Sequence, residues 1–144
     1  MKVQALIEEK GARVATVRPD ATVATVVRLL KLEGIGAMVV STDGSKVQGI
    51  ISERDIVRGL AENGVALLEM TVSKLMTREV KTCRRDANVT DVMAEMTRSR
   101  FRHLPVVEDG KLCGIVSIGD LVKNRLEELE TETHVLRDFI VGRS

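Results

Sequence analysis

Gly49-Ile50-Ile51-Ser52-Glu53-Arg54-Asp55 returns later in the chain, edited, as Gly114-Ile115-Val116-Ser117-Ile118-Gly119-Asp120. In each copy a short apolar run leads from a glycine into Ser-x-x-Asp, and an amphipathic stretch follows, the pattern of a strand turning directly into a helix. Ser52 and Ser117 then stand at helix mouths, where unpaired backbone N–H groups and the positive end of the helix dipole gather. A ligand carrying hydroxyls or phosphate finds donors at such a mouth. Asp55 and Asp120 fall within the first helical turn, where a carboxylate can accept two hydrogen bonds from a ribose diol. The same spacing is also that of a capping box, which only satisfies the helix end. One copy alone favours the cap; duplication of the whole surrounding unit shifts the weight toward a ligand.

Outward from the motif, the rest of the chain repeats as well. Thr16, Asp20 and Val23 are answered by Thr82, Asp86 and Val89, and one extra residue, near Ser45, lies in the first hairpin turn. The first unit reads as strand Val14-Ala15-Thr16-Val17, a helix with Val23, Val26, Val27 and Leu30 on one face behind a Thr22 cap, strand Ala37-Met38-Val39-Val40, a turn at Asp43-Gly44, the returning strand 47–51 and helix 53–63. The second runs from strand Val80-Lys81-Thr82-Cys83 through a helix capped by Asn88 to a second hairpin around Asp109-Gly110 and a final helix from about 118. The spacing predicts a leading helix over residues 2–10 that docks on the core, and a linker that packs down through a helical turn at Val72, Leu75 and Met76.

The expected fold class is therefore α/β (α+β): two β-α-β-β-α units. The boundaries are an N-terminal helix at 1–11, a first repeat at 12–64, a linker at 65–79, a second repeat at 80–130 and a C-terminal helical extension at 131–144. Along that extension Val122, Leu126, Leu129, Thr133, Leu136 and Ile140 alternate steps of four and three. This row fits packing on the chain's own core or a seam between subunits.

Composition narrows the function. Hydrophobic content of 44% and charged content of 30% describe a globular domain, and an aromatic content of 1% leaves the core to Val, Ile, Leu, Ala and Met. With few stacking residues and a formal net charge of +1, a nucleic-acid partner is not expected. The acids in MKVQALIEEKG interrupt any secretory apolar region and no run of about 18 apolar residues occurs, so the expectation is a cytoplasmic protein without a membrane partner. The two cysteines, Cys83 and Cys113, fall in expected strands and read as small buried hydrophobes. Together with His103 and His134 they form no zinc spacing, so no metal is expected.

The tandem β-α-β-β-α unit, with G-I-[IV]-S-x-x-D closing each hairpin and Arg102-His103-Leu104-Pro105-Val106 in the second, strongly resembles a cystathionine-β-synthase (CBS) domain pair, or Bateman module, over residues 12–130. No catalytic domain is left over, which is similar to the stand-alone type. The resemblance implies two units packed about a pseudo-twofold axis, with two sites for an adenine nucleotide such as AMP, ATP or NAD(H) in the cleft between them. It implies that Asp55 and Asp120 hold ribose hydroxyls and that Ser52 and Ser117 contact ribose or phosphate. Thr16 and Thr82 match positions beside the base, with backbone groups of Val17 and Cys83 reading the adenine edge.

The two copies diverge in their cations. Arg100, Arg102 and His103 stand where the first unit has Gly34, Gly36 and Ala37, whereas Arg54 is matched by Gly119. Twofold packing would let Arg54 meet Arg102 and His103 around a phosphate, and because those two lie in the second unit, Asp120 is expected to matter more than Asp55. The other reading of Arg98 and Arg100 is that they complement a helix C-terminus. The leading function is a regulatory adenine-nucleotide sensor, with a homodimer and an unknown downstream protein as partners. The alternatives are a structural or adaptor homodimer without a ligand and, least favoured, an enzyme, since neither histidine carries a triad or metal signature.

Overall fold

The structure is a computed structural model that describes residues 1–11 and 14–142; the first residues of the expected first repeat (12–13) and the end of the C-terminal extension (143–144) lie outside the described residues. The elements run α1 (Val3–Lys10), β1 (Thr16–Val17), α2 (Val23–Glu33), β2 (Ala37–Val40), β3 (Gly49–Ser52), α3 (Glu53–Asn63), a 3-10 turn (Gly64–Glu69), α4 (Val72–Leu75), α5 (Val89–Ser99), β4 (His103–Glu108), β5 (Lys111–Ser117) and α6 (Ile118–Val141). In the first unit β2 lies between a parallel β1 and an antiparallel β3. The second unit repeats the antiparallel hairpin of β4 and β5. The strand expected at 80–83 shrinks to a single parallel bridge between Cys83 and Val106, and the one expected at 14–17 to Thr16–Val17.

The helix ends follow the sequence signals. Thr22 Oγ1 accepts from the Thr25 N–H at 3.3 Å and Asn88 Oδ1 from that of Thr90 at 2.9 Å, each satisfying an otherwise orphaned donor. Gly34 closes α2 in the left-handed region (φ 63°), and in the second unit Arg100 holds that same conformation (φ 59°). A side chain there costs about 1 kcal/mol, so the backbone of the second unit keeps the first unit's geometry in spite of its residue.

Each unit has its own aliphatic core. In the first, Val17, Val26, Leu30, Met38, Val40 and Ile51 pack with Val72; in the second, Val89, Val92, Met96, Leu104, Val116 and Leu121 pack with Val3, Leu6 and Ile7. The short helix that precedes each unit thus completes the core of the other. The exchange is reciprocal to the bond: Val3 N donates to Ala87 O at 2.9 Å as Val72 N does to Ala21 O at 2.8 Å, and Val89 N donates to Met1 O as Val23 N does to Met70 O, both at 2.9 Å. These pairs define the pseudo-twofold relation between the units. They also explain the glycine that opens the repeated motif. A Cβ at Gly49 would lie 2.8 Å from Met76 Sδ and 2.9 Å from Thr77 O, and one at Gly114 would lie 2.9 Å from Ile7 Cδ1. The returning strand is pressed at the same place in both units, by Ile7 of α1 in the second and by Met76 and Thr77, just past α4, in the first.

Candidate functional site

At the end of each returning strand the chain turns into a helix through the predicted box. Asp55 Oδ2 accepts from Ser52 N at 2.9 Å and Asp120 Oδ2 from Ser117 N at 2.9 Å, while each serine hydroxyl accepts the aspartate's own N–H. Both aspartates are therefore helix caps. That role leaves capacity for another, because a carboxylate offers about four lone-pair sites. Among the described residues Asp55 Oδ1 has only a long contact from Thr77 Oγ1, at 3.4 Å.

Asp55 opens onto a cavity of about 660 Å³ between the two units, within the range of small-molecule sites. Ser52, Arg54, Asp55 and Arg58 line it from the first unit, and Lys81, Arg100, Arg102 and His103 from the second. Arg54 crosses to the second unit, where Nη1 donates to Arg100 O at 3.3 Å. Arg54, Arg102 and His103 converge on one cavity, as expected from the divergence of the copies. Lys81 is partly engaged elsewhere, by Glu95 at 2.8 Å. Hydrogen bonds from Lys81 and then Arg98 bring the Glu95 carboxyl down to about 2.

The pseudo-symmetric counterpart is a cavity of about 380 Å³ lined by Val14, Ala15, Gly34, Gly36, Ser117 and Asp120, among others. His103 belongs to both walls. Its imidazole packs on Gly36, where a Cβ would come within 3.3 Å of the ring. Burial, and next the Lys10 ammonium, hold the His103 pKa below its ordinary value. At Asp120 burial pushes the carboxyl up, but the Lys10 ammonium at 2.7 Å and the Ser117 N–H outweigh it and lower the pKa.

Two expectations are corrected. Arg102 does not serve the cavity of its own unit: it lines the Asp55 cavity, because the pseudo-twofold packing turns the start of β4 toward α3. Arg102 thus stands in one cavity with Asp55 and not with Asp120. Thr16, Val17, Thr82 and Cys83 line neither cavity. Val17 is buried in the first core, its carbonyl accepting from Ser41 N at 2.9 Å, and the Cys83 backbone is used up by Pro105 O and Val107 N. The lining residues lie two positions earlier, at Val14–Ala15 and Val80–Lys81. Cys83 and Cys113 are free thiols, and burial, with Cys113 nearby, pushes Cys83 up to about 11. Sequence reasoning missed Thr77, Arg58 and Lys10. Arg58 could have been found one helical turn after Arg54, on the same face; Thr77 and Lys10 lie on segments whose docking place no local pattern reveals.

Among the described residues no group of three or more His, Cys, Asp or Glu could hold a metal ion, and no helix is long and apolar enough to cross a membrane.

The family model described as CBS domain matches residues 11–62 and 72–127. An uncharacterised 17.7 kDa protein of Acidianus ambivalens is 39% identical over 116 residues, covering 80% of this chain and 69% of its own. The mitochondrial CBS domain-containing protein CBSX3 of Arabidopsis thaliana is 35% identical over 127 residues, covering 85% of this chain and 62% of its own. Among solved structures, the CBS-domain containing protein ATU1752 from Agrobacterium tumefaciens aligns with a TM-score of 0.83 at 44% identity, over 87% of this chain and 99% of that one. The CBS domain pair of protein MJ0100, solved in complex with 5′-methylthioadenosine and S-adenosyl-L-methionine, aligns with a TM-score of 0.78 at 25% identity, over 89% and 98%.

Proposed function

Because the chain belongs to the CBS-domain family, with a match in each half, we propose that it is a regulatory module that binds an adenine nucleotide between its two units. The observation that carries this reading is the pairing, in one cavity, of a helix-cap carboxylate with an open oxygen and a cluster of arginines drawn from both units. Asp55 can take the ribose diol while Arg54, Arg58 and Arg102 face the phosphates, each charged hydrogen bond contributing about 1.5–3 kcal/mol. That the related MJ0100 pair was solved with two adenosine compounds supports the adenosine class. AMP, ADP, ATP and NAD(H) all satisfy a diol and a phosphate.

The module acts by binding and not by catalysis, as an energy or redox sensor. Its state is passed to a downstream protein, or to a second copy through the exposed apolar row on α6. The site needs no metal, since arginines supply the positive charge.

A thermal-shift panel of AMP, ADP, ATP, NAD⁺, NADH and S-adenosylmethionine tests this. A ligand bound only by the folded state adds about 2.7 kcal/mol at a hundredfold excess over its dissociation constant, which for a chain of this size raises the melting point by roughly 3–6 °C. No shift with any of these compounds at millimolar concentration would sink the sensing function in favour of a ligand-free adaptor.

A further inference from the structure

Helix α6 runs on past the core that it belongs to. It enters the second core through Leu121, yet every residue from Thr131 to Val141 is exposed, and so are Val122, Leu126, Leu129, Leu136 and Ile140 of its apolar row. The chain's own core therefore leaves the outer end of that row uncovered. So short a stretch of helix is marginal in water without tertiary packing. Thr133, the polar member of the row, already gives its hydroxyl proton to Leu129 O at 2.9 Å, so it can be buried without an orphaned donor.

The residues that flank the row are charged in a definite order. With steps of four and three, Leu126, Thr133 and Ile140 take the a positions of a heptad, and Val122, Leu129 and Leu136 the d positions. Lys123, Glu130 and Arg137 are then e residues, and Arg125 and Glu132 are g residues. In a parallel pair of helices each g residue meets the e residue of the partner's next heptad. Arg125 meets Glu130 of the second copy in this way and Glu132 meets Arg137, each contact attractive and each made twice by symmetry. An antiparallel pair sets e against e and g against g. With Val122 laid over Ile140, that arrangement offers Arg125 to Glu132 and Glu130 to Arg137, but it also sets Glu130 and Glu132 each against its own copy and Lys123 against Arg137. Arg125 has a partner in its own helix, Glu128 at 3.1 Å, so Glu132 and Arg137 are the residues that choose the orientation.

We propose that α6 forms a parallel two-stranded coiled coil with α6 of a second copy, which sets two modules side by side with their C-termini together. This rests on the reading of α6 as the place where a second copy is met, and adds the orientation and the residues that select it. The flanks are complementary to themselves, which points to this same chain as the occupant of the row.

Sedimentation equilibrium of the full chain tests the arrangement, through charge reversals at exposed positions outside both cores. Glu132→Arg or Arg137→Glu alone turns an attractive contact into a like-charge one on both sides of the coil, so each should weaken the dimer roughly tenfold at low salt and less as salt is added. Glu132→Arg combined with Arg137→Glu should restore wild-type association, since both ends of each contact are then reversed. An antiparallel coil gives the opposite result, because the double variant brings like charges against Arg125 and Glu130. A double variant weaker than either single one, or single variants that associate as wild type, would overturn the parallel coil while leaving a second copy on α6. A full chain that stays monomeric at tens of micromolar would overturn both and leave nucleotide binding untouched.

Discussion

Asp55 and Asp120 make the same capping box, and what separates them is the company each keeps. Asp55→Asn and Asp120→Asn should each cost at most about 1 kcal/mol as caps, the latter also losing a half-exposed ion pair with Lys10 worth no more than about 1 kcal/mol. Only Asp55→Asn should weaken ADP, by roughly tenfold. Denaturant titration and calorimetry of both variants separate the two quantities, and equal ADP affinity in both would leave Asp55 a cap alone. His103 provides a second test. Its pKa is lowered by burial and by Lys10, with Arg102 adding to the depression and Asp120 and Glu53 opposing it. In the free protein the imidazole therefore takes up its proton at a lower pH than in the unfolded chain, where it does so at about 6.5, so this group lowers stability as pH falls through that range. A phosphate in the cavity favours the charged ring, so ADP should bind tighter as pH falls from 8 toward 6. His103→Gln should flatten that dependence to what ADP's own ionisation leaves; an identical pH profile would remove His103 from the phosphate side.

Among the elements, α1 approaches Gly114 closely through Ile7, and the residues just past α4, Met76 and Thr77, approach Gly49. Gly114→Ala would meet side-chain atoms of Ile7 alone, whereas Gly49→Ala would meet the Thr77 backbone carbonyl as well as Met76. Overpacking of this kind costs typically 1–3 kcal/mol. The Gly49 variant is expected at the upper end and the Gly114 variant at the lower, read as the difference in denaturant midpoint; the reverse order would mean that the contacts at Gly49 yield more easily than the backbone atom suggests. Much at this scale was legible in the sequence. Helix 53–63, the Thr22 and Asn88 caps and the run of α6 through residues 131–133 rest on local signals that the structure retains. The docking of Val3 beside Ala87 was not legible, because an apolar stripe states that a helix is covered and not by what. The same limit hid the site. Arg102 was assigned to Asp120 because both lie in one unit, and only the packing of the units turns it toward Asp55.

For the molecule as a whole, the α6 row divides the chain's behaviour alone from its behaviour in pairs. Val122, Leu126, Leu129 and Leu136 are exposed along one helix, with 62% of Leu136 accessible, and on α3 Val57 and Leu60 are exposed as well. An apolar row of that length is unfavourable in water and is expected to be covered by a second copy. Deleting residues 131–144 should weaken a dimer that light scattering detects at tens of micromolar, while the melting point of the remaining module changes little because that stretch lies outside both cores. A full-length chain that stays monomeric at that concentration would exclude the seam. The exchange of α1 and α4 has a further consequence for how this chain comes off the ribosome. Val3, Leu6 and Ile7 are made before the residues they pack with, which extend to Leu121. At a synthesis rate of about 5–20 residues per second, the opening helix waits roughly 5–20 s with its apolar face uncovered. The first unit receives its missing helix as soon as Val72 emerges, so of the two units the one translated earlier is finished earlier, and α1, made ahead of both, is the last to find its place.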